Sequence, residues 1–143
     1  MIKILYPFFI LLLSCAFDVN AQVNPDIIKI YYNQEKYTKV LEYIDNNITD
    51  LSKLKDTTNI NLYFKSIHTI GKNYLNEGLY QDAVKYYNKC IIDFNDIYGL
   101  SKTKEFYDYK NELAICYMRL KKYSKAEPLF IDNLKYQRQN SAE

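Results

Sequence analysis

The chain has 143 residues, 48% of them hydrophobic and 25% charged, a balance that fits one folded domain and excludes a disordered polyelectrolyte. Its formal net charge of +2, carried by scattered rather than clustered basic residues, gives no electrostatic footprint for nucleic acid. With only 3 Gly and 3 Pro there is too little turn chemistry for many short strands, so helix is the expected secondary structure.

The first segment, "MIKILYPFFILLLSCAFDVNAQ", carries one lysine, an apolar run from Ile4 to Leu13, and a polar stretch ending in small residues. A membrane-spanning helix needs about 20 apolar residues, so the run is too short to cross a bilayer. It matches instead the hydrophobic region of a secretory signal peptide. Val19 and Ala21 stand where a signal peptidase takes small residues, which predicts a leader over 1–21, cleavage between Ala21 and Gln22, and an exported (periplasmic or secreted) domain over 22–143. The rival reading uses "LLSC", in which Cys15 becomes a lipid-anchored N-terminus; Leu13 directly before Ser14 fits that signal poorly. A buried helix of a cytosolic protein is disfavoured by the sharp change of composition near Asn20.

Six helices are predicted beyond the leader. Asn24 followed by Pro25 reads as a cap and a first-turn proline, opening a helix over about 25–35. A second runs over about 38–50. Thr58 or Asn59 is the expected cap of a third over about 59–76. The "NEG" that follows places Gly78 where positive φ ends a helix, before a fourth over about 80–96. Ser101 or Thr103 is expected to cap a fifth over about 103–119. Ser124 and Glu127 have capping-box spacing for a sixth over about 123–138, with Pro128 placed near its first turn, where a missing N–H costs least.

These helices repeat. "YYNQEKYTKVLEYI" from Tyr31, "YLNEGLYQDAVKYY" from Tyr74 and "YMRLKKYSKAEPLF" from Tyr117 superimpose at a constant offset of 43 residues without a gap. Ile27, Ile70 and Leu113 align, as do the three leading tyrosines. Next come Tyr37, Tyr80 and Tyr123, then Val40, Ala83 and Ala126. The last columns are Ile44, Tyr87 and Phe130, then Ile48, Ile91 and Leu134. Within each unit the columns step by three and four, so each helix carries one apolar stripe. Several of the 16 tyrosines recur at these fixed positions, which favours core packing over base stacking. Ala83 and Ala126 are expected to let the second helix of a unit approach the first opposite Gly71 and Ala114; Val40 and Ile28 hold the first pair further apart. A two-helix unit cannot bury its apolar face alone, so the expected fold is all-α, an α-solenoid of three helix-turn-helix repeats over about 24–58, 59–101 and 102–139.

With these motifs in place, the chain resembles a tetratricopeptide repeat array. Repeats of that family are about 34 residues long. The longer period here, with "IYGLSKTKEFYDYKNELAICY" and the "AEPL" of "KKYSKAEPLF", is similar to the long variant typified by kinesin light chains. The resemblance covers residues 24 to 138, and the first repeat matches least, having no small pair and a short first helix. It implies a right-handed superhelix whose first helices line a concave groove that holds a protein or peptide partner. The groove positions are Lys29 and Tyr32 in the first repeat, Lys65, His68, Thr69, Lys72 and Asn76 in the second, and Asp108, Asn111, Glu112, Ile115 and Arg119 in the third. The plain alternative is that these are solvated helix faces. Chaperone-binding members clamp a C-terminal carboxylate, at positions that here hold Pro25, Lys29, Thr69, Asp108 and Glu112. Two acidic groups there argue against that role.

Nothing points to catalysis, a cofactor, a small-molecule substrate or a metal. His68 is the single histidine, with no nucleophile near it in sequence, and no phosphate loop, paired-carboxylate motif or nucleophile elbow is present. Export would permit a disulfide, yet Cys90 and Cys116 fall on faces expected to be buried, where they read as small core residues. The last helix is followed only by "NSAE", with no polar capping helix, so either Leu129, Phe130 and their neighbours cover themselves or a partner or a second copy is expected to dock on that end. The alternative function is the N-terminal sensing or scaffolding part of a larger signalling or caspase-like protease system, as arrays of this kind precede such domains.

Overall fold

The computed structural model describes residues 24–48, 50–51, 57–99 and 103–140. Its six helices are α1 (Pro25–Asn33), α2 (Tyr37–Asn47), α3 (Thr57–Asn76), α4 (Tyr80–Tyr98), α5 (Lys104–Arg119) and α6 (Tyr123–Asn140). They pack in chain order, α1 on α2 and α3, α2 on α3, then α3 on α4, α4 on α5 and α5 on α6. Among the described residues there is no strand, and the architecture is the all-α, solenoid-like stack of three hairpins. The leader, Cys15 and the cleavage site at Ala21 and Gln22 lie outside the described residues.

The 43-residue period is written into the backbone as well as the side chains. Glu35, Gly78 and Lys121, spaced by that interval, all take positive φ, at 56°, 76° and 58°. The N–H of the following residue reaches back to the equivalent tyrosine carbonyl each time: Lys36 to Tyr31 at 2.9 Å, Leu79 to Tyr74 at 2.8 Å, and Lys122 to Tyr117 at 2.8 Å. The positive-φ residue itself donates three residues back, to Tyr32, Leu75 and Met118. This is the same Schellman-type closure three times, and it ends each first helix and aims the second one back along it.

Helix starts differ from expectation in places. Asn24 does cap α1, its side chain accepting from the Asp26 N–H at 3.0 Å. But α3 begins at Thr57, so Thr58 and Asn59 lie within its first turn rather than capping it, and Asn59 is buried. Thr103 occupies the cap position of α5 without a side-chain hydrogen bond to the backbone, and Ser101 lies outside the described residues. In α6 the first helical residue is Tyr123, because the Lys122 carbonyl already accepts from Lys125 and Ala126. Ser124 is thus inside the helix and no capping box forms. Pro128 sits in the second turn, where it deprives the Ser124 carbonyl of an intrahelical donor.

The apolar columns form the core. Ile28, Val40, Ile44, Tyr63, Ile67, Phe64 and Phe94 lead one cluster that spans the first two hairpins, and Ala83, Tyr87, Leu113 and Cys116 form a second between the last two. Gly71 makes the α3–α4 crossing close. A Cβ there would stand 3.2 Å from Tyr87 Cζ and 3.3 Å from Tyr86 Cβ, so the side chains that lean on it are these tyrosines, a turn beyond Ala83. Cys90 and Cys116 are buried free thiols in different clusters, which fulfils the core reading and leaves no disulfide between them.

Two polar locks tie the stack. Between the first two hairpins, Lys89 of α4 pairs with Asp45 of α2 at 3.4 Å and with Asp93 at 3.3 Å, and Asp93 accepts from the Tyr63 hydroxyl. Between α5 and α6, Lys110 pairs with Asp132 and lies over the Phe106 and Tyr107 rings, while Tyr107 stacks on Tyr136 with centroids 4.0 Å apart.

Candidate functional site

The helical stripe of α3 buries Ile60, Tyr63, Phe64, Ile67 and Ile70, which leaves the edge carrying His68 and Lys72 turned toward α5. The matching edge of α5, beside buried Tyr109, Leu113 and Cys116, carries Asp108 and Glu112. These four predicted groove residues are brought together. Burial lowers the His68 imidazole below its ordinary pKa; Glu112 and Asp108 pull it back up and Lys72 adds to the depression. The ring is therefore neutral near pH 7.

Beneath them lies Tyr87. It is 0% exposed, its ring centroid is 6.0 Å from that of His68, and Tyr109 stands 5.7 Å from the same imidazole. The tip of the Tyr87 ring passes under Gly71, so its hydroxyl end lies at the seam between α3 and α5. Among the described residues that hydroxyl has no hydrogen-bond partner. Burial, then the nearby Glu112, pushes its pKa far up, so it stays a neutral O–H. The seam thus combines two carboxylates, one ammonium, a neutral imidazole and an unpaired phenol on an aromatic floor.

The remaining predicted positions separate into two kinds. Lys29, Lys65, Asn76 and Arg119 are exposed on their helices, and Asn111 and Ile115 are half-buried. Two are already engaged: the Thr69 hydroxyl donates to the Lys65 carbonyl at 2.7 Å, and the Tyr32 ring packs edge-on against Tyr37 at 5.5 Å. Sequence reasoning missed Tyr87 and Tyr109 because both sit on core stripes. The signal for Tyr87 was present in its column, where Ile44 and Phe130 bring no hydroxyl and Tyr87 does.

Concavities also lie elsewhere among the described residues. One of about 280 Å³ sits at the first turn, between Glu35, Tyr37, Tyr74 and Glu77. Another of about 430 Å³ lies on the last hairpin, lined by Met118, Tyr123, Ala126, Phe130, Ile131 and Leu134 with Glu127 as the one charged group. Among the described residues no group of three His, Cys, Asp or Glu side chains is placed to hold a metal, and no helix is long and apolar enough to cross a membrane. Searches among protein-family models, curated proteins and solved structures return no match to this chain.

Proposed function

We propose that the chain is an exported binding module of tetratricopeptide type, which holds an extended segment of a partner protein along the faces of its first helices, and that it has no catalytic role. The observation that carries this reading is the α3–α5 seam: a half-buried neutral His68 beside the Tyr109 ring, with Asp108 and Glu112 outnumbering Lys72. Two carboxylates beside the Tyr109 and His68 rings favour a lysine or arginine side chain in that segment, by charge and by cation–π attraction. The solenoid-like stack supports the reading further, because its exposed first-helix faces run side by side.

The test is selection from a randomised peptide library displayed on phage, against the full chain. Enriched sequences should carry a basic residue, and their affinity should fall about tenfold in the pair Asp108→Asn and Glu112→Gln, the scale expected for two partly exposed charge contacts. A library that yields no enrichment, or peptides indifferent to both substitutions, overturns the proposal.

A further inference from the structure

The apolar faces of the second helices are covered in the first two hairpins and partly open in the third, where Ala126 is buried and Phe130 half-buried. Ile44 and Tyr87 are fully buried, and Ile48 and Ile91 half-buried, because α3 lies over α2 and α5 lies over α4. On the last hairpin Tyr123 is 61% exposed, Leu134 52%, Ile131 44% and Met118 41%. The groove of about 430 Å³ described above is therefore a continuation of the interface between hairpins. What covers its equivalents is a long helix with one apolar stripe.

We propose that a second copy of this chain covers this face, α6 against α6, antiparallel about a two-fold axis. The helix is complementary to itself. Tyr123, Glu127, Phe130, Leu134 and Arg138 recur at steps of three and four, so they share one stripe of α6. Its acidic group lies near the start and its basic group near the end. Antiparallel pairing brings Glu127 of one copy against Arg138 of the other, twice per dimer, around a centre of Phe130, Ile131 and Leu134. Parallel pairing would set like charges opposite each other. Head-to-tail docking would have to use the first hairpin, whose α1 has 9 residues against 18 in α6 and matches only about half the face. An isologous contact also closes, leaving no apolar surface to propagate.

This inference is independent of the peptide groove, because it rests on α6 residues and none of the seam residues His68, Lys72, Asp108 and Glu112. The test is the mass of the full chain in solution, by sedimentation equilibrium over micromolar to millimolar concentration. The wild-type chain is expected to be a dimer. Glu127→Arg and Arg138→Glu, both at exposed positions, should each weaken it by about tenfold, and the double exchange should restore it. Leu134→Glu should give a monomer with an unchanged helical circular dichroism spectrum. A wild-type chain that stays monomeric, singles that change nothing, or a double variant that is not rescued overturns the two-fold. A ladder of larger species means head-to-tail docking and overturns it as well.

Discussion

The Tyr63 hydroxyl donates a 2.6 Å hydrogen bond to the carboxylate of Asp93, and both groups are buried. Burial and that bond push the tyrosine pKa far up, so the donor is present at any ordinary pH. Lys89 supplies Asp93 with a counter-charge at 3.3 Å and reaches Asp45 at 3.4 Å, so one buried acid joins three helices of two repeats. Tyr63→Phe keeps the packing and removes only the donor. It is expected to cost about 1–3 kcal/mol, the penalty for an acceptor left underpaired in the interior, in a urea unfolding curve. An unchanged midpoint would mean that Lys89 alone satisfies Asp93.

Stability should fall on the alkaline side. Burial pushes the Cys116 thiol up from 9.0 to about 11, with Glu112 adding to the shift. A group whose folded pKa is raised contributes stability that is complete below its unfolded pKa and is lost as pH rises toward the folded value. From pH 9.0 to about 11 the unfolded chain therefore releases this proton and the folded chain keeps it, with a slope that approaches about 1.4 kcal/mol per pH unit. Urea titrations across that window should show the decline, and Cys116→Ala should make it shallower, with the buried Cys90 thiol and the buried tyrosines supplying the rest. An equal slope in the variant would assign the decline to the buried Cys90 thiol and the buried tyrosines.

The three positive-φ turns differ in their cost. A side chain in the left-handed region is disfavoured by roughly 1–2 kcal/mol, and Gly78 avoids this where Glu35 and Lys121 do not. Gly78→Ala should destabilise by about 1 kcal/mol. Lys121→Gly should stabilise by somewhat less, because glycine also loses more entropy on folding. Thermal midpoints of the two variants moving in the same direction would contradict the shared turn geometry.

The α3–α4 crossing is set by Gly71. A methyl group there would meet the fully buried Tyr87 ring at 3.2 Å and Tyr86 Cβ at 3.3 Å. Gly71→Ala is expected to cost about 1–3 kcal/mol by overpacking, and Ala83→Leu on the facing helix a similar amount. Either variant melting like the wild type would mean that the hairpin opens without strain.

The repeat made much of this fold readable beforehand. A constant offset with apolar residues at steps of three and four fixes helix number, order and buried face, and Gly78 marks a turn that Glu35 and Lys121 then share. Caps were harder to place, because α2, α4 and α6 begin from the backbone of the turn itself, with Lys36, Leu79 and Lys122 as first acceptors. Side-chain caps such as Ser124 are then superfluous. The Asp45–Lys89–Asp93–Tyr63 lock was invisible, since its members lie on three helices and each charge taken singly reads as a solvated face. At the candidate site, sequence reasoning chose the helix edges that hold His68 and Glu112 and overlooked the floor between them.

That floor gives the last prediction. The Tyr87 hydroxyl is buried without a hydrogen-bond partner, while its ring fills the crossing below Gly71. Tyr87→Phe keeps the ring and removes an unsatisfied polar atom, so the unliganded chain should gain about 1 kcal/mol or stay unchanged. Aromatic residues serve at the same column in Phe130, which makes the exchange tolerable to the fold. A groove-selected peptide should bind the variant as it binds the wild type, because the fully buried hydroxyl is out of its reach. A loss of more than about 1 kcal/mol in the free protein would show that the hydroxyl is satisfied within the fold.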